Sequence, residues 1–374
     1  TSFTKKEKRF NMMTKKLASL ALALVMCLSL CVPAFPYASE VSEKDQAIEL
    51  GKQMILRFIE QREAEYYDVK SVDFEIGESE SSPEGLSFNV IATIMHELKA
   101  TSAEDLPYVQ GMLSAIAEEP ASIALASAQE NVFSLKVAEV DTYIGETTRM
   151  SLCFNVTVNT DGLSVLTEDD IRLYALDSTD NKVAITELNT PSYETMFNQG
   201  YDSVQTTLME IREAGENSLR ARLATPISNY DSYDRIAARD YAYKWWGPND
   251  SNYNPAYSNW NGPDAGDCAN FVSQCIKAGG VPTDSTWKKD SSAWISTSKL
   301  AAYMTDKDHR YATKESYLDT NAGNFATKPG HSVLVSINNT VDVCYTAHNN
   351  NRKDAAFSST ELSSTYSFYV IKNY

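Results

Sequence analysis

The sequence predicts an α+β chain of two domains behind a secretory leader, and three observations carry that expectation. Helical and strand periodicities alternate from residue 40 to residue 225. A Thr225-Pro226-Ile227-Ser228 segment then breaks the helical pattern. Beyond residue 228 the composition changes: all five tryptophans and three of the four histidines lie there. Aromatic enrichment beside cysteine and histidine points to a binding cleft or, equally, to a tryptophan-rich core.

The leader comes first. Lys5, Lys6, Lys8, Arg9, Lys15 and Lys16 precede an apolar run from Leu17 to Val32, and small residues follow at Ala34 and Ala38. A basic segment, a short apolar core and a small-residue exit are the pattern of a secretory signal over residues 1–38, cleaved after Ala34 or Ala38. An uncleaved membrane anchor would need a longer span. The expectation is a secreted or cell-wall-associated protein with no stable membrane insertion after cleavage.

The N-terminal domain, residues 40–225, reads as a helix against an antiparallel sheet. Ser42 and Asp45 resemble a capping box, and Ala47, Ile48, Met54, Ile55, Phe58 and Ile59 recur at helical spacing. Phe88, Val90, Ala92 and Ile94 alternate with more polar partners, as do Met150, Leu152, Phe154, Val156 and Val158. Phe197, Tyr201, Val204, Leu208 and Ile211 return to helical period. No chemistry is evident there. His96 continues an apolar strand face and reads as a packed histidine, and Cys153 as a structural thiol.

Composition excludes some partners. With 43% hydrophobic and 22% charged residues the chain is globular. A net charge of −17 argues against a nucleic-acid partner, which demands concentrated Lys and Arg.

The second domain, residues 228–374, holds the candidate chemistry. In Gly266-Asp267-Cys268-Ala269-Asn270-Phe271-Val272-Ser273-Gln274-Cys275, the residues Cys268, Phe271, Val272, Cys275 and Ile276 fit one helical face. Gly279-Gly280 and Pro282 stop the helix. Asp267 suits the N-cap, so Cys268 falls in the first turn, where free N–H groups and the helix dipole favour a thiolate. The alternative is that Cys268 merely opens a buried stripe. A Cys268–Cys275 disulfide is excluded, because seven helical residues separate their α-carbons by roughly 10 Å, and a disulfide needs about 7 Å or less.

Two β-rich runs, His331–Ile337 and Thr340–His348, flank Asn338-Asn339 and predict a hairpin with a two-residue turn. In that register Val333 faces Cys344, His331 faces Thr346, and His348 shares the face of His331 as its diagonal neighbour. One histidine could then serve as base while the other orients it. A turn one residue longer would part them onto opposite faces. Cysteine with two histidines is also a zinc donor set, but no Cys-x-x-Cys or His-x-x-x-His spacing accompanies it. No metal or cofactor is expected. His309, in a charged stretch, reads as solvated.

These blocks resemble a known family. Tyr233-Asp234-Arg235-Ile236-Ala237-Ala238-Arg239-Asp240-Tyr241-Ala242, Tyr253-Asn254-Pro255, the cysteine block, Gly330-His331-Ser332-Val333-Leu334-Val335 and Thr346-Ala347-His348-Asn349-Asn350-Asn351-Arg352 are similar to the putative amidase domain family of Gram-positive bacteria. The resemblance covers about residues 228–374 and implies a papain-like cysteine amidohydrolase fold. It implies Cys268 as nucleophile, His331 as general base and His348 as the residue that orients it, with Asn349 a weaker candidate for that role. Candidate binding residues are Tyr253, Trp260, Asp267 and Trp294. A peptide or peptidoglycan substrate follows from the family and the leader. The alternatives are a wall- or peptide-binding protein without turnover on the same fold, and a thiol acyltransferase. One departure stands out: Gly323-Asn324-Phe325, only a few residues before His331, replaces a longer Gly-Asp-hydrophobic strand of the family.

Overall fold

In the computed structural model, residues 42–82, 85–118, 133–159, 166–214, 233–247, 252–260, 266–306 and 311–372 are described. The expected leader and the break at 225–228 lie outside them. No described helix is long and apolar enough to cross a membrane.

Helix α1 (Glu43–Glu63) begins where the capping pattern places it. The Asp45 backbone N–H donates to Ser42 Oγ at 3.2 Å, and Ser42 Oγ donates to the Asp45 carboxylate at 2.7 Å. Ala47, Gly51, Ile55 and Ile59 form its buried stripe. The stripe meets strands β2 (Gly85–Leu98) and β3 (Thr147–Val158). Their register pairs Phe88 with Val156, Val90 with Phe154, Ala92 with Leu152 and Ile94 with Met150, so both alternating stripes face one core. Beyond β2 lies β1 (Tyr67–Ser82), an edge strand carrying Asp68, Asp73, Glu75, Glu78 and Glu80. Such charge discourages another chain from pairing there.

Helices α2 (Pro107–Ala117), α3 (residues 133–141) and α4 (Tyr193–Ala214) complete this half. Gly111 and Gly200 bring α2 and α4 together: a Cβ on either would stand 1.9 Å from the opposing carbonyl oxygen, of Phe197 and Tyr108 respectively. Strands β4 (Ile171–Leu176) and β5 (Lys182–Ala184) extend one end of β3.

The other half opens with α5 (Arg235–Trp245), capped by Asp234, which accepts from the Ala237 N–H at 2.8 Å. Helices α6 (Cys268–Ala278), α7 (Ser292–Ile295) and α8 (Thr297–Thr305) follow. The strands are β6 (Ala312–Glu315), β7 (Phe325–Lys328), β8 (His331–Asn338), β9 (Val343–Ala347), β10 (Arg352–Ala356) and β11 (Ser367–Ile371).

All eleven described strands form one mixed sheet, with the backbone order β1-β2-β3-β10-β9-β8-β7-β11-β6. The α+β class is thus as expected. The halves join where Ala355 of β10 pairs in parallel with Ser151 of β3. Residues 47–374 form one compact unit. Val333, Val335 and Tyr345 share a core cluster with Tyr108, Met112 and Leu188. Chain on either side of the 225–228 break therefore contributes to one sheet and one core.

The hairpin departs from the sequence reading. Observed pairs are Leu334 with Thr346, Val335 with Tyr345, Ile337 with Cys344 and Asn338 with Val343, with an irregularity between Val335 and Ile337. Residues 339–342 form the connection. There the Asn339 side-chain carbonyl accepts from the N–H groups of Val341 (3.1 Å) and Asp342 (2.8 Å), and Thr340 takes φ 73°. An asparagine that closes its own turn lengthens the loop beyond two residues.

Candidate active site

Helix α6 is buried along its first nine residues, Cys268 to Ile276. Phe271 and Cys275 pack with Ala242 of α5 and Leu334 of β8, so Cys275 is the small apolar residue its spacing suggested. Ala269, Val272 and Ile276 pack with Trp287 and Trp294 on the other flank. Two of the helix's polar groups are tied to these indoles. Trp287 Nε1 donates to Ser273 Oγ at 3.2 Å, and Trp294 Nε1 donates to Asn270 Oδ1 at 2.7 Å.

Cys268 stands at the first helical position and is 3% exposed. Its Sγ lies 3.8 Å from the Gly330 carbonyl oxygen and 3.9 Å from Thr297 Oγ1. Thr297 Oγ1 accepts from Ser332 Oγ at 2.9 Å. Burial raises the Cys268 thiol above its ordinary 9.0, against hydrogen bonds from the Ser332 backbone and Thr297 that act to lower it. The thiol opens on a cleft of about 1150 Å³. Its walls carry many hydroxyls, among them those of Ser292, Ser296, Thr297, Thr305, Thr327 and Thr365, together with Trp260 and Lys328.

Asp267 occupies the N-cap position but does not cap. Its backbone is helical (φ −80°, ψ −3°), and its side chain makes no capping bond. The carboxylate instead accepts from the Trp260 N–H at 3.0 Å and from Asn270 Nδ2 at 2.8 Å, and meets His348 Nδ1 at 2.6 Å. His348 Nε2 donates to the Trp245 carbonyl at 2.8 Å. The imidazole lies between Tyr253, with centroids 3.6 Å apart, and Phe271, 3.9 Å apart. Both ring nitrogens are thereby engaged, and His348 is 1% exposed.

The histidine pair expected from the hairpin does not form. His331 pairs with Lys328 across the β7–β8 corner, so the two share a face, and Val333 follows on that face. Ser332, one residue on, points the opposite way, towards Thr297 and the Cys268 helix. The observed β8–β9 register sets Leu334 against Thr346, which places His348 on the face opposite to His331. His348 therefore orients Asp267 and not His331. The one-residue irregularity between Val335 and Ile337 is the physical cause, since a four-residue connection alone would have kept the two histidines on one face. His331 is 4% exposed, and its Nε2 is buried without a hydrogen-bond partner. Burial, reinforced by the nearby Lys328 charge, lowers its pKa from 6.5 to about 4, leaving a neutral ring at pH 7.

Three of the four expected binding residues also take other roles. Trp294 is fully buried beneath α6, Asp267 serves His348, and Tyr253 stacks on His348 while its hydroxyl donates to Asn351 Oδ1 at 2.8 Å. Only Trp260 lines the cleft, its Nε1 donating to Asp290 Oδ1 at 3.2 Å. Asn349 lies against Gly266 with φ 75°, and its Oδ1 is buried without a partner. The sequence reading missed Thr297, Ser332 and Lys328. The alternation of Gly-His-Ser at the start of β8 was the available signal, since a serine beside the histidine must face the other way. Among the described residues, no group of three or more His, Cys, Asp or Glu could hold a metal ion.

Residues 232–371 match the family model described as Putative amidase domain, whose description carries amide hydrolysis as the reaction class of this region. Over 73 residues, 20% of this chain, the sequence is 37% identical to a protein of Bacillus subtilis (strain 168) named Uncharacterized protein YhbB. The match spans 21% of that relative's length. No solved structure matches the chain significantly.

Proposed function

We propose that the chain is a secreted, papain-like cysteine amidohydrolase acting on cell-wall peptide, with Cys268 as nucleophile and His331 as general base. The observation that carries this reading is Cys268 at the first residue of a buried helix, open to a hydroxyl-lined cleft, within a segment matching an amidase family. A cleft rich in hydroxyls suits a substrate rich in amide and hydroxyl groups. The basic and apolar leader pattern supports export, and so a substrate outside the cell.

In the reaction, the Cys268 S–H proton passes to His331 Nε2 and Sγ bonds to the amide carbonyl carbon. The N–H groups of the first turn of α6 have no intrahelical acceptors and are placed to receive the developing oxyanion. The C–N bond breaks as His331 returns the proton to the departing amine, and water then hydrolyses the thioester. His331 leaves β8 on the face opposite to Ser332 and the Cys268 helix, so the transfer requires the Lys328–His331 corner to turn the ring towards Sγ when substrate binds.

A second reading, a peptide-binding protein without turnover, is favoured by the same gap: the thiol is protonated at rest and His331 Nε2 has no partner. Digestion of purified peptidoglycan, with soluble muropeptides analysed by mass spectrometry, separates the two. The hydrolase reading expects new amide-cleavage products that Cys268→Ala abolishes. Retention on peptidoglycan with no products from either protein would establish the binder.

A further inference from the structure

The strands beyond residue 228 are not self-sufficient around His331. Four residues from the N-terminal half, the turn Asp177–Asp180 between β4 and β5, reach into its surroundings. Lys328, directly opposite His331, places Nζ 3.3 Å from Glu361 Oε1, 3.2 Å from Thr179 Oγ1 and 4.0 Å from Asp177 Oδ2. The Ser178 backbone N–H donates to the same Glu361 oxygen at 3.0 Å, and Ser178 Oγ bonds both Glu361 and, at 2.7 Å, Tyr366 Oη. Asn350 Nδ2 donates to the Ser178 carbonyl at 3.0 Å, and Arg352 pairs with Asp180 at 2.5 Å. Ser178 is 1% exposed and Glu361 2%, so this is a buried junction and not a surface contact.

We propose that the Asp177–Asp180 turn is a positioning element of the amidase site, pinning the Lys328 ammonium beside His331 through Asp177, Ser178 and Glu361. The N-terminal half would then be a working part of the hydrolase instead of a detachable targeting module. The inference rests on His331 being the base. The Glu361 carboxylate is bonded on all sides by Ser178, Lys328 and the Ser358 N–H. Its remaining freedom to move Lys328 is therefore small, and the turn decides where the ammonium sits. The charged or titratable groups around His331 are Lys328 from β7, Asp177 from the turn, Glu361 and Tyr366 from the C-terminal turn, and Cys268 across the corner. Of these, Lys328 opposes a charge on the ring and Asp177 favours it.

The test is an NMR pH titration of the histidine C2 protons in the full chain, with His331 assigned by the His331→Gln variant. Lys328→Gln should raise the His331 midpoint measurably above about 4, because it removes a charge that opposes protonation of the ring. Asp177→Asn should move it the opposite way. Glu168→Gln, at an exposed pair with Arg57 on the same half, should leave it unchanged. An unmoved midpoint in Lys328→Gln, or shifts of the same sign in Lys328→Gln and Asp177→Asn, would overturn the proposal. So would an equal movement of His348. The titration needs no substrate. A chain that passes it without cleaving peptidoglycan sinks the hydrolase reading alone, and one that cleaves but fails it sinks only the role of the turn.

Discussion

Replacing His331 with glutamine should remove an acid-sensitive component of stability whose size follows from its surroundings. The folded chain keeps this ring neutral down to about 4, because the ring is buried and faces the Lys328 ammonium. The unfolded chain protonates it near 6.5. Between those values the unfolded state binds more protons, so stability falls as pH falls through the window. Below about 4 both states are protonated and the loss stops. At about 1.4 kcal/mol per pH unit, the gap amounts to about 3 kcal/mol of stability present above pH 6.5 and lost by about 4. Urea unfolding at a series of pH values gives the free energy of each protein. Carboxylates and other histidines act on both proteins alike, so the difference between wild type and His331→Gln isolates this residue. That difference should narrow, or turn in favour of the variant, by about 3 kcal/mol between pH 6.5 and 4. A difference that stays constant across the window would refute the assignment of a depressed, neutral His331.

Two further perturbations follow from buried charges. Arg62 holds Glu63 and Asp342 in the interior and donates to the Leu188 carbonyl at 2.6 Å. Arg62→Met takes the paired cation from Asp342 and leaves Glu63 with His96, and should destabilise the chain by about 3–5 kcal/mol in urea unfolding, whereas a loss under about 1 kcal/mol would refute the pairing. Alkylation of Cys268 by iodoacetamide should still accelerate as pH rises past 9.0, because burial holds the thiol above that value. A rate already level at pH 8 would show an activated thiolate at rest.

The elements readable from sequence are those fixed by local pattern. The α1 stripe, the paired stripes of β2 and β3, and α6 with its glycine stop each follow from periodicity over one segment. The hairpin register does not, because a one-residue irregularity between Val335 and Ile337, which no local pattern marks, reverses every side chain beyond it. That slip parts His331 from His348. Tryptophan content likewise cannot tell a cleft from a core: Trp260 lines the cleft, while Trp287 and Trp294 are fully buried under α6. His96 was legible as a packed residue. It stacks on Tyr67 with centroids 4.0 Å apart and meets Glu63 at 2.7 Å. The union of the halves rests on pairings such as Ser151 with Ala355, some two hundred residues apart in sequence, which no local pattern encodes.

The Asp267–His348 contact gives the sequence's strongest block a different meaning from helix capping. Asp267 is the residue type that would ordinarily bond the first-turn N–H groups of α6. Here His348, Asn270 Nδ2 and the Trp260 N–H draw its carboxylate away, and the imidazole is fixed by the Trp245 carbonyl and two aromatic rings. The helix therefore begins without a side-chain cap, and its positive end stays open next to Cys268. A capped helix would spend those N–H groups on its own aspartate. The same contact ties the residue before Cys268 to the end of β9 and to α5, so Cys268 is held from two elements besides its own helix. His348 thus serves the setting of Cys268 without touching the thiol, with both of its ring nitrogens engaged.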